Sequence, residues 1–208
     1  MNARTLGFSF ALLACLCSAS IATAQPSSSR VEVGGQASFL HLSDFETTPA
    51  GFGGRVSFDL TRWAALEAEA DFFPKDDAIF PPSDLTPPLG IIYRRTRANA
   101  LFGAKLGWRS DRFGLFGKVR PGFTRLSDGG VECAGEVCAL VLLARPEYRT
   151  EFALDLGGVF EFYPSARTVA RFDLGDTMIR HRSSAPPCWG SSCTSHNLTS
   201  RIGVGLRF

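Results

Sequence analysis

Hydrophobic and polar residues alternate with a period of two along most of the chain after residue 30. The clearest stretch is 197–208, where one face is small or cationic and the other carries Leu198, Ile202, Val204, Leu206 and Phe208. Successive side chains of a β-strand point to opposite sides, so this spacing predicts a strand with one apolar face.

Seven further segments show the same alternation: 30–41, 51–61, 63–73, 94–108, 112–123, 148–163 and 168–177. The segment 63–73 is also compatible with a helix by propensity, but glutamates two residues apart share a face only in a strand. The pattern therefore predicts an all-β chain of eight strands.

The connections between these segments alternate between short and long. Short turns are expected near 61–62, 109–111 and 164–166, and long connections at 42–50, 74–93, 124–147 and 178–196. In an up-and-down barrel this order places every short turn at one end and every long loop at the other. Strands of 10–12 residues tilted by about 45° span roughly 25 Å, the height of the apolar band of a membrane barrel. We therefore expect an eight-stranded antiparallel up-and-down transmembrane β-barrel.

The N-terminal segment 1–24 resembles a secretory signal. Arg4 precedes an uncharged, mostly apolar run that ends in Ala22-Thr23-Ala24, and this run is short for a membrane-spanning helix. We expect cleavage after Ala24 and a single barrel domain over 25–208. A lipoprotein processing site at Cys15 is the alternative.

The polar faces of the predicted strands carry nine acidic and nine basic residues, a balance that suits mutual neutralisation inside a narrow barrel. The balanced charge of the whole chain, 22 Lys and Arg against 20 Asp and Glu, gives no indication of a nucleic-acid partner. A soluble, lipocalin-like barrel with the charges outside is the alternative orientation. We expect the charges inside, in a network that includes Glu67, Glu69, Arg95, Arg97, Lys118, Arg120, Asp155, Glu161, Arg171 and Arg201.

The final alternating strand, closing on Phe208, resembles the terminal assembly signal of bacterial outer-membrane β-barrels. Over its mature length the chain is similar to the small barrels typified by the OmpA transmembrane domain and OmpX. The resemblance implies an outer-membrane location, insertion by the outer-membrane assembly machinery, and contact with outer-membrane lipid and lipopolysaccharide. We expect a monomer, with aromatic residues in two interfacial girdles: Trp63, Trp108, Phe113, Tyr163 and Phe208 at the short-turn end, and Phe39, Phe52, Phe72, Tyr93 and Tyr148 at the loop end.

Cysteines after the signal form two pairs with C-x4-C spacing, Cys133 with Cys138 and Cys188 with Cys193. An oxidising compartment favours disulfides, and we expect pairing within each loop, although four cysteines allow three connectivities. A four-cysteine zinc site is the alternative. We expect no metal and no cofactor.

One segment raises the question of catalysis. His181, followed by Ser183 and Ser184, resembles the His-x-Ser segment of outer-membrane lipid A deacylases, but the residues after it depart from the pattern of that family. We therefore expect no enzymatic activity and a structural or surface-interaction role through long extracellular loops. A narrow transport channel is the second interpretation, and a lipid A-modifying hydrolase is the third.

Overall fold

Nine β-strands make up the computed structural model, which describes residues 30–42, 47–74, 78–80, 91–133, 148–182 and 192–208. The strands are β1 (Val31–Leu42), β2 (Ala50–Asp59), β3 (Ala64–Phe73), β4 (Ala78–Phe80), β5 (Ile91–Arg109), β6 (Phe113–Cys133), β7 (Tyr148–Phe162), β8 (Thr168–His181) and β9 (Cys193–Arg207). Within these ranges, no helix is both long and apolar enough to cross a bilayer. The predicted signal, 1–24, lies outside the described residues.

The sheet closes on itself as an antiparallel eight-stranded barrel. Each barrel strand pairs with its neighbours in sequence, β3 pairs with β5, and β1 pairs with β9 to close the ring. Within the described residues, the short strand β4 pairs with the loop end of β5. A line drawn from Glu32 of β1 through the paired residues of each successive strand goes once around the barrel. It meets β1 again at Leu42, ten residues further along. A shear of ten in eight strands corresponds to a strand tilt of roughly 40–45°.

The barrel confirms the eight predicted strands but extends several of them beyond their predicted loop-side ends. The paired strands β5 and β6 are the longest, at 19 and 21 residues, and continue past the predicted limits at 94 and 123. Likewise, β8 continues to His181 and β9 begins at Cys193. Beyond the apolar band no lipid enforces an apolar outer face, so alternation fades while backbone pairing continues.

A hydroxyl side chain organises each of the three short turns. The Oγ1 of Thr61 accepts hydrogen bonds from the backbone N–H groups of residues 63 and 64, both at 3.1 Å. Ser110 and Ser165 accept equivalent bonds from residues two or three positions ahead. Side-chain oxygens that bond the local backbone favour tight turns, which explains why these connections need few residues.

Burial shows which face points outward. Outward-facing Leu106 and Leu115 are each 63% exposed, whereas Lys105 and Arg120 on the inner faces of the same strands are fully buried. A water-soluble protein has the opposite arrangement. The apolar faces therefore contact lipid, and the polar faces line the interior, as the sequence predicted.

Proline interrupts the ladder at one point in the wall. Pro121 lies in the middle of β6 with an outward-facing ring, and no paired partners occur opposite residues 102 and 103 of β5. Proline has no N–H to donate to a neighbouring strand, so the β5–β6 pairing is broken locally. The ladder from Pro121 to β7 stays in register.

Candidate functional site

Ion pairs between side chains from many strands fill the middle of the barrel. Arg120, on β6, is at the centre of this charged belt. Its guanidinium lies 2.6 Å from Glu69, 2.5 Å from Asp155 and 3.0 Å from Asp173, and it also reaches Glu67 at 3.4 Å. All five side chains are at least 98% buried. The guanidinium group of arginine is planar and has five N–H donors, so it can contact several carboxylates at once.

A second group lies toward the short-turn end. Arg171 makes a bidentate contact with Glu67, at 2.5 and 2.9 Å, across the barrel from β8 to β3. Lys105 bridges Glu67, at 3.1 Å, and Glu161. These contacts join strands on opposite sides of the barrel, so the interior charges hold the wall together across the bore.

On the opposite side, Arg201 of β9 contacts Glu69 and Asp71, each at 2.8 Å. Asp71 also accepts hydrogen bonds from Gln36 at 2.8 Å and Ser38 at 2.7 Å. Lys118 bridges Asp155, at 2.8 Å, and Asp173. Ser57 of β2 donates to Glu67 at 2.9 Å, so the belt includes a side chain from every barrel strand.

Small residues make room for these long side chains. A Cβ atom at Gly175 would lie 2.9 Å from Oδ1 of Asp155 and 3.1 Å from Cε of Lys118. It would also approach the carbonyl oxygen of Leu156 to 2.6 Å. Glycine at this position lets the Lys118 chain lie against the wall.

At the short-turn end, Tyr163 is part of the interior network. It is only 7% exposed, its hydroxyl donates to Glu161 at 2.7 Å, and it accepts from Arg109 at 3.0 Å. Arg109 also pairs with Asp59 at 2.5 Å, and the guanidinium of Arg207 lies 4.2 Å from the Tyr163 ring centre. Burial and the neighbouring Glu161 carboxylate raise the pKa of Tyr163, which keeps its hydroxyl a neutral donor.

The expectation that Tyr163 belongs to an outer aromatic girdle was therefore wrong. It follows the last residue of β7 with an inward orientation, where its hydroxyl finds two polar partners. The other described members of the predicted girdles are exposed on the outer wall: Phe39, Phe52, Trp63, Phe72, Trp108, Phe113, Tyr148 and Phe208. The side chain of Tyr93 lies outside the described part.

The structure places nine of the ten residues named for the lumen network inside the barrel: Glu67, Glu69, Arg97, Lys118, Arg120, Asp155, Glu161, Arg171 and Arg201. The side chain of Arg95 lies outside the described part. Lys105, Asp71 and Asp173 are further members of the belt. Their sequence signal is that each lies between outward-facing residues of its strand.

The predicted disulfides fall mostly outside the described residues. Cys193, at the start of β9, is disulfide-bonded. Cys138 and Cys188 are outside those ranges, and of Cys133 only the backbone, at the end of β6, is described. In the described part, no group of three or more His, Cys, Asp and Glu side chains could hold a metal ion.

Another polar group lies near the loop end of the barrel, above the charged belt. Glu151 on β7 is opposite His181 on β8, because the register pairs Phe152 with Arg180, and its Oε2 lies 2.5 Å from His181 Nδ1. On the other side, His181 Nε2 lies 2.9 Å from Oγ of Ser195 on β9.

This group contains residues that sequence reasoning missed. The expected serines next to His181, Ser183 and Ser184, lie outside the described residues, whereas the serine in contact with the histidine belongs to the next strand. Asn197 donates from Nδ2 to Ser195 Oγ at 3.1 Å and to the backbone oxygen of Thr177 at 3.0 Å. Chain spacing gives no indication of contacts set by pairing across three strands.

A cavity of about 600 Å³ opens beside this group at the rim of the wall. Its lining combines the inward Glu151 and His181 with outward aromatic and cationic side chains, namely Phe123, Phe152, Arg180 and Arg182. Apolar and cationic surfaces therefore meet next to the histidine.

Comparison with known proteins gives one family match over most of the chain. A family model described as "Outer membrane protein beta-barrel domain" matches residues 8–208. No curated protein matches the sequence.

Several solved structures are similar at low sequence identity. Neisserial surface protein A is 12% identical with a TM-score of 0.49, over 85% of this chain and 95% of that one. A major outer membrane protein from Thermus thermophilus is 12% identical with a TM-score of 0.49, over 86% and 98%. Ail, the attachment invasion locus protein of Yersinia pestis, solved in complex with the heparin analogue sucrose octasulfate, is 12% identical with a TM-score of 0.46, over 86% and 97%.

Proposed function

The chain belongs to the outer membrane protein beta-barrel domain family and lies in the bacterial outer membrane, and from this premise we propose that it is a closed structural barrel that interacts with its surroundings through its outer wall and extracellular connections. The observation that carries the proposal is the charged belt. Lys105, Arg120 and Asp155 are fully buried, so an ion crossing the barrel would have to displace them from their partners.

The size of the barrel supports the same conclusion. Eight strands leave an interior that side chains can fill, in contrast to the water-filled channels of larger porins. The belt contains long arginine and lysine side chains from several strands, each held by carboxylates. This arrangement favours a structural barrel over a narrow transport channel.

A test of this proposal is the conductance of the purified full chain in planar lipid bilayers. We expect little or no steady current from the unmodified protein, because the buried ion pairs of the belt occupy the bore. Glu69→Gln should increase brief openings, since it weakens the contacts of both Arg120 and Arg201. Large, stable conductance from the unmodified protein would refute the closed-barrel proposal and support the channel.

The outer wall has the features needed to contact lipopolysaccharide. Arg125 and Arg180 face outward near the extracellular end, close to the exposed aromatic rings of Tyr148 and Phe152. The guanidinium of Arg125 lies 5.0 Å from the centre of the Tyr148 ring. Cationic side chains next to an aromatic and apolar band can bind an amphiphile whose headgroup carries negative charges.

Deletion of Phe208 tests the proposed recognition by the assembly machinery. The residue is 68% exposed, and its backbone N–H donates to Val31 at 2.8 Å. One exposed ring contributes little to the stability of a whole barrel, so the deletion should lower outer-membrane levels much more than it lowers the free energy of unfolding of refolded protein. Cell fractionation and urea titration measure the two effects. Removal of another exposed ring in Phe102→Ala is the matched control, and equal outer-membrane levels of both variants would contradict the assembly signal.

A further inference from the structure

Exposed arginines surround the short-turn end of the barrel. The strands β1, β3, β6 and β8 start at this end, and an exposed arginine precedes the first residue of each by one or two positions: Arg30, Arg62, Arg112 and Arg167. We propose that these four residues, the basic rim, bind the headgroups of anionic phospholipids in the periplasmic leaflet of the membrane. This interaction goes beyond the proposed contacts with lipopolysaccharide, which lie at the loop end of the barrel.

The pairing order of the strands spaces the basic rim evenly around the wall. Barrel strands that start at the short-turn end alternate with strands that end there, so successive arginines of the rim are two strands apart. At about 4.8 Å between strands and a tilt of about 43°, this separation is roughly 13 Å along the wall. It exceeds the screening length of about 8 Å at physiological salt, so the four charges repel one another weakly. Each arginine can therefore bind a headgroup of its own.

Positive charge is in excess on the surface of this end. Asp111 is the one exposed carboxylate among the described residues of the short turns and strand ends, against the four arginines of the basic rim. Two further arginines of this end are directed inward, where Arg109 pairs with Asp59 at 2.5 Å and Arg207 lies 3.6 Å from Glu32. Among the described side chains, no carboxylate forms an ion pair with the rim. The interior arginines thus have partners within the chain, and the rim is available to an external anion.

The basic rim lies where the apolar band ends. Trp63 and Phe113, which follow two of its arginines in the sequence, are exposed on the outer wall, and so is Phe208, whose backbone pairs with Val31. Outward aromatic residues of this kind lie at the membrane–water interface. The guanidinium of Arg62 lies 5.0 Å from the centre of the Trp63 ring, so it is held against the outer wall at the level of the headgroups.

The chemistry of the rim indicates the class of lipid. A guanidinium group binds phosphate oxygens through parallel N–H donors, and the short turns of outer-membrane barrels lie on the periplasmic side, next to phospholipid headgroups. In a zwitterionic headgroup the lipid's own cation already neutralises the phosphate, whereas phosphatidylglycerol keeps its negative charge. Each arginine near an anionic surface strengthens binding about fivefold. The rim therefore favours anionic over zwitterionic phospholipids.

The test uses the protein refolded into bilayers, with Trp63 as its one tryptophan after Trp108→Phe and Trp189→Phe. Bromine atoms on lipid acyl chains quench tryptophan fluorescence, so brominated phosphatidylglycerol and brominated phosphatidylcholine report which lipid lies beside Trp63. We expect phosphatidylglycerol to bind there about two- to fivefold more tightly than phosphatidylcholine. Arg62→Gln should remove most of this preference, and salt at about 0.5 M should weaken it.

Arg125→Gln is the matched control for Arg62→Gln. Arg125 makes the same kind of contact, 5.0 Å from the centre of the Tyr148 ring, but at the loop end of the wall. This variant should keep the preference for phosphatidylglycerol at Trp63. Equal binding of the two lipids to the protein with intact arginines, or a preference that Arg62→Gln leaves unchanged, would overturn the proposal.

A second measurement uses the protein purified from outer membranes in mild detergent. Mass spectrometry of the lipids that copurify should show anionic phospholipids enriched over phosphatidylethanolamine, and replacing all four rim arginines with glutamine should remove the enrichment. The four positions are exposed, so these substitutions leave the buried ion pairs intact. Binding of the protein to peptidoglycan, without any enrichment of anionic lipid, would overturn the proposal and assign the rim to the cell wall. Bilayer conductance tests the closed barrel independently of either result.

Discussion

Replacing Arg120 with leucine should lower the free energy of unfolding by about 3–5 kcal/mol, because it removes one of the cations that neutralise four buried carboxylates. Arg120 contacts four of them, and none can reach water without opening the barrel. The leucine side chain satisfies none of these oxygens. Urea titration of the protein refolded into phospholipid vesicles gives the measurement.

The control for Arg120→Leu is the same substitution at Arg125, five residues along the same strand. Arg125 is exposed on the outer wall, and its ring contact with Tyr148 is worth about 0.5–1 kcal/mol. The double variant Arg120→Leu with Glu69→Gln should recover part of the loss, since it also removes one negative charge and so restores the charge balance of the interior. If Arg120→Leu were as stable as Arg125→Leu, the charged belt would contribute nothing to the barrel.

Replacing Leu156 with arginine should cost about 2–4 kcal/mol, since the side chain faces lipid near the middle of β7. Its inward neighbour Asp155 is fully buried in the charged belt, which establishes the outward direction of Leu156. The cost arises because the guanidinium must either enter hydrocarbon or distort the bilayer around it. Unfolding titrations in vesicles of fixed thickness measure the change.

Thr150→Arg on the same strand and the same face is the matched control for Leu156→Arg. Thr150 lies three outward positions closer to the extracellular end, where a charge reaches the headgroups at a cost of about 0–1 kcal/mol. The two substitutions should therefore differ clearly. Equal costs would show that Leu156 is not at the depth that the strand register assigns to it.

The strand count and the direction of each face could be predicted from the sequence for one physical reason. Within the apolar band, outward-facing residues must tolerate lipid, and the inward-facing residues between them must tolerate a crowded polar interior. Each strand is therefore constrained at every position. The paired ends of β5 and β6 beyond the band are under neither constraint. Their backbone hydrogen bonds continue, but the residues after 123 show no alternation that would indicate this.

The candidate site was predictable as a set of residues but not as a set of contacts. Alternation alone places Arg201 and Asp71 in the interior, yet their contact joins residues 130 positions apart and depends on the shear of the barrel. The same limit applies to His181. Ser183 and Ser184 follow it in sequence, whereas hydrogen bonding between β8 and β9 brings Ser195 to its ring.

Closure of the ring by β1 and β9 has a consequence for how the barrel forms. Arg201 enters the interior with the final strand, while its partners Glu69 and Asp71 belong to the third. An open sheet in the bilayer would leave these charges facing hydrocarbon, with neither water nor each other to stabilise them. Partial sheets are therefore high in free energy, and the strands should insert and join in one concerted step that also neutralises the interior.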